Sequence, residues 1–246
     1  MLSSAVTRTA WVLTLVTCAS TAIPAWAAEP IPCKPEVWEE AIAAFEAADA
    51  KEPPPKQGVL FIGSSSIRLW DLKKSFPELP VINRGFGGSQ ICDATHFAER
   101  LITRHDPRVV VFYAGDNDIA AGKSPEQVHK DFRAFVAAVR KSLPKTPIVF
   151  IAIKPSIARW KLAEEIKAAN QLIAADCEED KSLEFVDVWP AMLDENGEPR
   201  KELLRDDRLH MTDAGYAVWT ELLIPHLDPA AKESNHDDTT GTTTEK

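Results

Sequence analysis

An α/β fold, a parallel sheet wound with helices on both faces, is predicted by three features of this 246-residue sequence. Five short apolar runs recur along it, the longer segments between them carry helical periodicity, and small or polar turn residues follow the first three runs directly. Parallel neighbours need long crossovers, and those crossovers bury the apolar faces of the strands, so five strands separated by helices imply the doubly wound class. The expected strand order is the flavodoxin-like 2-1-3-4-5, with functional residues at the carboxyl ends of the strands. A hydrophobic share of 45% and a charged share of 26% suit one such domain with appendages.

The first 27 residues read as a signal peptide. Arg8 supplies the positive start, an apolar run begins at Trp11, and Ala25-Trp26-Ala27 places small residues at both cleavage-recognition positions. A membrane anchor is the competing reading, but the uncharged run from Thr9 to Ala28 is diluted by Thr, Ser and Pro24. Export to the periplasm or the extracellular space is therefore expected, with no stable membrane insertion after cleavage. Cleavage after Ala27 leaves 27 basic against 37 acidic side chains, a net charge of −10, and no basic run. Nucleic acid and anionic membrane surfaces are poor partners for such a chain, and a neutral or cationic small molecule fits its average charge better.

Residues 28–57 form a leader. Trp38, Ile42 and Phe45 share one face of an acidic helix expected from about Pro35 to Ala48, and Pro53-Pro54-Pro55 ends it. The domain proper spans 58–228. Its strand candidates are Val59 to Ile62, Val81 to Ile82, Val109 to Tyr113, Ile148 to Ile153 and Phe185 to Val188. Val128, Phe132, Phe135, Val139 and Leu143 make one core-facing helical stripe; Leu162, Ile166, Ala169 and Ile173 make another. The polar, Thr-rich remainder, 229–246, has the composition of a disordered tail. After cleavage the chain keeps Cys33, Cys92 and Cys177, an odd number at no metal or redox spacing. Two readings stay open for them, a Cys33 to Cys177 disulfide or three buried free thiols.

Four turns carry chemistry. After the first strand comes Gly63-Ser64-Ser65-Ser66-Ile67, where Ser65 projects into the crevice above the positive end of a new helix. A serine there is more often a helix cap. After the second comes Asn83-Arg84-Gly85-Phe86-Gly87-Gly88-Ser89, where the N–H of Gly88 can face a carbonyl oxygen or simply open a turn. After the third comes Ala114-Gly115-Asp116-Asn117-Asp118, where Asn117 offers a neutral NH₂ or an ordinary Asx turn. Before the last helix stands Asp207-Arg208-Leu209-His210, an acid and an imidazole that can touch, or a plain surface pair.

Their conjunction resembles the SGNH/GDSL hydrolase superfamily. Ser65, Gly88, Asn117 and His210 stand where its four marker residues stand, and Leu209-His210-Met211-Thr212 with Gly215-Tyr216 is similar to its C-terminal signature. The likeness spans about Gly58 to Leu227 and implies a three-layer α/β/α sandwich. Many members have Gly-Asp-Ser-Leu at the nucleophile; Gly63-Ser64-Ser65-Ser66 lacks that acid and resembles the branch of platelet-activating-factor acetylhydrolase and lysophospholipase-like proteins. The α/β-hydrolase elbow fits less well, since Ile67 replaces its second glycine.

The resemblance implies a serine esterase in which His210 activates Ser65, Asp207 steadies the imidazolium, and the N–H groups of Ser65 and Gly88 with the Asn117 amide form an oxyanion hole. Spacing favours Asp207 over its neighbour Asp206. No cofactor and no metal is expected, the substrate being a small-molecule, glycan or lipid ester. Arg84, Asp118 and Lys154 are expected to rim the crevice and suit it to short acyl groups. Two further readings use the same fold: an envelope protein that binds acylated glycans or lipids without turnover, and an acyltransferase. Oligomeric state leaves no mark in the sequence.

Overall fold

The computed structural model of the protein describes residues 33–228. The signal-peptide and tail segments expected at 1–27 and 229–246 lie outside the described residues. A parallel sheet of β1 (Val59–Gly63), β2 (Val81–Gly85), β3 (Val109–Tyr113), β4 (Ile148–Ile151) and β5 (Leu183–Val186) runs in the order β2-β1-β3-β4-β5. Each neighbouring pair is parallel, with Val59 opposite both Val81 and Val109, and Ile148 opposite Leu183.

Alternation along the strands divides the core into two layers. Leu60, Ile62, Val110, Phe112, Ile148 and Phe150 face one side of the sheet. That side is covered by α1 (Glu39–Lys51), α4 (Ile91–His96), α5 (Ala98–Leu101), α7 (Pro125–Arg140) and α8 (Ala163–Glu179). Val59, Phe61, Val109, Val111 and Tyr113 face the other, under α2 (Ser65–Arg68), α3 (Leu72–Ser75) and α9 (Asp213–Leu223). The short α6 (Asp116–Ala120) sits at the end of β3. The result is the three-layer α/β/α sandwich with the expected strand order.

Strand limits differ from expectation for physical reasons. β2 runs on through Asn83 and Arg84 because both polar side chains find partners. Asn83 Nδ2 donates to Ile67 O at 2.8 Å, its Oδ1 accepts from Gly85 N at 2.8 Å, and Arg84 pairs with Asp49 at 2.5 Å. β5 begins two residues early, since Leu183 is held opposite Ile148, and stops before Asp187, whose carboxylate accepts the N–H of Trp189 at 2.9 Å. The leader opens with a 3₁₀ turn, Pro35–Trp38, before α1 starts at Glu39.

The cysteines correct both expectations. Cys33 is bonded to Cys92, with Cα atoms 6.2 Å apart, and Cys177 is the free thiol. The leader crosses beside α4 and brings Cys33 to it, whereas Cys177 sits on α8 beside β5, at the opposite edge of the sheet from β2. Burial pushes the Cys177 thiol up to about 12, so it behaves as a small apolar residue.

Candidate active site

The first two strand ends are built around one glycine. Gly63 has φ +142°, and a Cβ there would lie 1.8 Å from the Tyr113 carbonyl oxygen, so no other residue allows β1 to approach β3 and turn. Ser64 N then donates to Tyr113 O at 3.1 Å, which ties the first turn to the end of β3, and Phe86 N to Gly63 O at 2.9 Å, which ties the second turn to the end of β1. Ser65 is thereby the first residue of α2, where a helix N–H has no acceptor within the helix and points outward.

The acid-base turn is held from several sides. Arg208 adopts φ +57°, a left-handed conformation that a side chain tolerates only when its surroundings impose it. Here Arg208 N donates to Arg205 O at 2.8 Å, Arg205 N to His210 O at 2.7 Å, and Ala158 N to Arg208 O at 3.0 Å. From beneath, the buried Lys154 ammonium donates to Leu209 O at 2.7 Å. After the turn, the Thr212 hydroxyl caps α9, and Tyr216 on that helix donates to Ser66 O at 2.9 Å. A packed aromatic group, Phe61, Trp70, Phe76, Tyr216 and Trp219, fills the space between α9 and the sheet. Burying each such ring contributes about 1.5–3 kcal/mol, which packs α9 against β1 and the segment that follows α2.

That frame brings distant residues together. Ser65 Oγ lies 2.9 Å from His210 Nε2, and His210 Nδ1 lies 2.6 Å from Asp207 Oδ2. The other Asp207 oxygen accepts the N–H groups of Leu209 and His210, both at 2.9 Å. These bonds, with the imidazole contact foremost, hold the Asp207 carboxyl well below the usual carboxylate range. Asp206 makes no such contact with the imidazole. Across the cleft, Gly88 adopts φ +81° and its N–H donates to no backbone carbonyl among the described residues. Asn117 Nδ2 donates to Ser89 O at 3.0 Å, while its Oδ1 accepts from Arg159 Nη2 at 2.8 Å. Arg159 thus fixes which end of the amide faces the cleft, and one Nδ2 hydrogen remains for a ligand.

An open cleft of about 520 Å³ is lined by Ser65, Gly87, Gly88, Asn117 and His210, with Trp38 and Leu209 as its apolar walls and Arg68 and Arg159 as its cations. Arg84, Asp118 and Lys154, expected at its rim, do not reach it. Arg84 is turned under α1 toward Asp49. Asp118 is fully buried and accepts from Lys123 Nζ at 2.8 Å and from Ile91 N. Lys154 lies beneath the Asp207–His210 turn. The strand-end rule locates the right segments, but each of these charged side chains is itself buried and engaged by another group of the protein. The two cations that do line the cleft were not expected. Arg68 was legible in principle, one helical turn after Ser65. Arg159 was not, because it reaches Asn117 from a 3₁₀ segment, Ile157–Leu162, far along the chain.

Among the described residues, Cys92, Asp118 and Asp131 are near enough to one another to suggest a metal site, but Cys92 is in the disulfide and the Lys123 ammonium bridges the two carboxylates at 2.8 and 2.6 Å. A cation is already there.

Burial lowers the Lys154 ammonium from the ordinary 10.5 to about 8. The folded protein therefore releases this proton before the unfolded chain does, and between those values the unfolded chain binds more protons. Stability should consequently rise with pH across that window, by up to about 3 kcal/mol for this group. Urea unfolding of Lys154→Met is expected to lack the rise; an unchanged slope in that variant would assign it to other groups.

The family model of the GDSL-like lipase/acylhydrolase family matches residues 69–218, a span that holds Gly88, Asn117, Asp207 and His210 and begins just after Ser65. No curated protein matches. Among solved structures, a Streptococcus pneumonia protein provisionally described as a platelet activating factor superposes with a TM-score of 0.70 at 23% identity, covering 78% of this chain and 96% of that one. A GDSL-like lipase from Bacteroides thetaiotaomicron gives 0.65 at 19% identity, covering 76% and 96%. A carbohydrate esterase family 3 protein from Talaromyces cellulolyticus gives 0.57 at 19% identity, covering 71% and 98%. At such identities these likenesses establish a shared fold.

Proposed function

The chain belongs to the GDSL-like lipase/acylhydrolase family and is a carboxylic ester hydrolase, and we propose that it works through a Ser65-His210-Asp207 triad and an acyl-enzyme. The observation that carries this reading is the continuous contact from Asp207 through the imidazole to the Ser65 hydroxyl, at 2.6 and 2.9 Å. Asp207 accepts a hydrogen bond from Nδ1–H, which leaves Nε2 with a lone pair aimed at Oγ. The Ser65 oxygen adds to the ester carbonyl as His210 takes its proton, and His210 then delivers that proton to the departing alcohol. Water, deprotonated by the same nitrogen, cleaves the acyl-Ser65 ester and releases the acid.

Charge on the tetrahedral oxygen is met by the N–H groups of Ser65 and Gly88 and by Asn117 Nδ2, all neutral and fixed before the substrate arrives. Asn117→Ala is expected to lower kcat by about 10²- to 10³-fold with little change in KM, as loss of one such donor does; steady-state kinetics on an aryl acetate would test it, and an unchanged kcat would remove Asn117 from the hole. An open cleft walled by Trp38 and Leu209 alone favours short acyl groups over long lipid tails. Export before folding suits a chain whose leader is tied to the domain by a disulfide, a bond that persists in oxidising compartments.

The test is covalent capture. A fluorophosphonate should label the wild-type protein at Ser65, located by peptide mass spectrometry, and should not label Ser65→Ala. Absence of labelling together with absence of turnover would favour a binding protein on the same fold. Product analysis with added alcohols separates hydrolysis from acyl transfer, because the transferase reading predicts a new ester in place of the free acid.

A further inference from the structure

We propose that Arg68 is the substrate-recognition cation of this cleft and that the natural substrate is an ester bearing an anionic group, a carboxylate or a phosphate, close to the scissile bond. The inference rests on the hydrolase reading above and narrows it to a substrate class.

Among the described residues nine line the cleft; apart from His210 the ionisable ones are both arginines, and none of the nine carries a carboxylate. The two guanidinium groups differ in what they are free to do. Arg159 is largely covered, lies 2.8 Å from the Asp116 carboxylate and donates through Nη2 to Asn117, so its charge is already balanced. Arg68 is exposed and, among the described residues, has no ion-pair partner and no side-chain hydrogen bond. It stands one turn after Ser65 on α2, so it projects on the same side of the helix as the nucleophile.

The loop opposite is shaped around it. Gly87 does not have a positive φ, so its own backbone does not call for glycine. A Cβ there would instead come within 2.7 Å of Arg68 Nε and 3.1 Å of Nη2. Glycine at that place leaves the space in which the guanidinium lies, next to the Gly88 N–H proposed to receive the oxyanion. A planar fork of donors with no partner of its own matches a carboxylate or phosphate through two parallel hydrogen bonds.

This reverses the expectation drawn from composition. A net charge of −9 disfavours anions on average, yet a local cation lining the same cleft as Ser65 outweighs a distant field that salt screens beyond about 10 Å.

The experiment compares kcat/KM for 4-acetoxybenzoate, 4-acetoxyphenyl phosphate and their uncharged isostere 4-acetoxybenzamide, each divided by its rate of hydroxide hydrolysis. The wild-type protein should prefer at least one anion over the amide by about tenfold, the size of one charge-assisted contact, and whichever anion leads identifies the group. That preference should shrink as sodium chloride is raised, a measurement that needs no variant. It should fall toward one in Arg68→Gln and below one in Arg68→Glu. A wild-type ratio of one for both anions, or a ratio that Arg68→Glu leaves where it was, would overturn the proposal while leaving the hydrolase intact. Failure of all three esters, with no fluorophosphonate labelling, would overturn both.

Discussion

Turnover of an activated ester by Ser65→Ala is expected to fall by about 10⁵- to 10⁶-fold, the scale on which loss of a serine nucleophile acts in triads of this kind. The substitution removes a single oxygen. It leaves the Ser65 N–H, the Gly88 N–H and the Asn117 amide in place, so the tetrahedral charge can still be met, but no group remains to form the acyl-enzyme. Residual hydrolysis should come from the oxyanion hole and binding alone, at about 10³-fold above the uncatalysed rate. KM should change little, since binding relies on the walls and donors of the cleft and not on the hydroxyl. The fold should persist, because alanine is the best helix former and Ser65 is the first residue of α2 with only part of its surface buried. Measurement of kcat under single-turnover and steady-state conditions, with thermal unfolding as the control, decides the matter. Activity within a hundredfold of wild type in a folded Ser65→Ala protein would assign the nucleophile elsewhere.

Asp207→Asn should cost about 10³- to 10⁴-fold in kcat, and Asp206→Asn almost nothing. Half of the Asp207 side chain is exposed, so water screens its charge and Coulomb attraction alone cannot account for a large role. The tautomer can. Asp207 accepts hydrogen bonds through both oxygens, from Nδ1 of His210 and from the N–H groups of Leu209 and His210. An asparagine keeps one acceptor, which the two backbone N–H groups claim, and offers an NH₂ to Nδ1. The imidazole then carries its proton on Nε2 and has no lone pair for the Ser65 hydroxyl. The low pKa of Asp207 adds a second expectation: it stays ionised throughout the acid range in which the enzyme is assayed, so the acid limb of kcat/KM in the wild type does not report this group. Parallel pH profiles of the two variants check both points, and an Asp206→Asn defect as deep as that of Asp207→Asn would reverse the assignment.

Apolar periodicity was enough to place five strands, since burial on both faces leaves a parallel strand little choice but a continuous apolar run, and their order was the one expected of the doubly wound class. It misplaced the ends of β2 and β5, where polar residues remain in or leave the ladder according to partners such as Asp49 and Trp189 that lie elsewhere in the chain. The four chemical turns were legible through residue type and spacing, Asp207 and His210 most readily, because a three-residue separation in a turn is a local property. Arg84, Asp118 and Lys154 share the right segments with Gly88, Asn117 and the fourth strand's end, yet each is buried and engaged by another group of the protein.

The residues alone determined the class of fold, the strand that precedes each functional turn and the kinds of group available for chemistry, since these depend on periodicity and on neighbours within a few positions. Tertiary structure alone decided that Cys33 joins Cys92, that Arg159 orients Asn117, and that Arg68 is left with an unbalanced charge beside the nucleophile. Each of those outcomes depends on which distant side chains arrive at the same place, and a partner's arrival is a property of packing that no stretch of sequence contains.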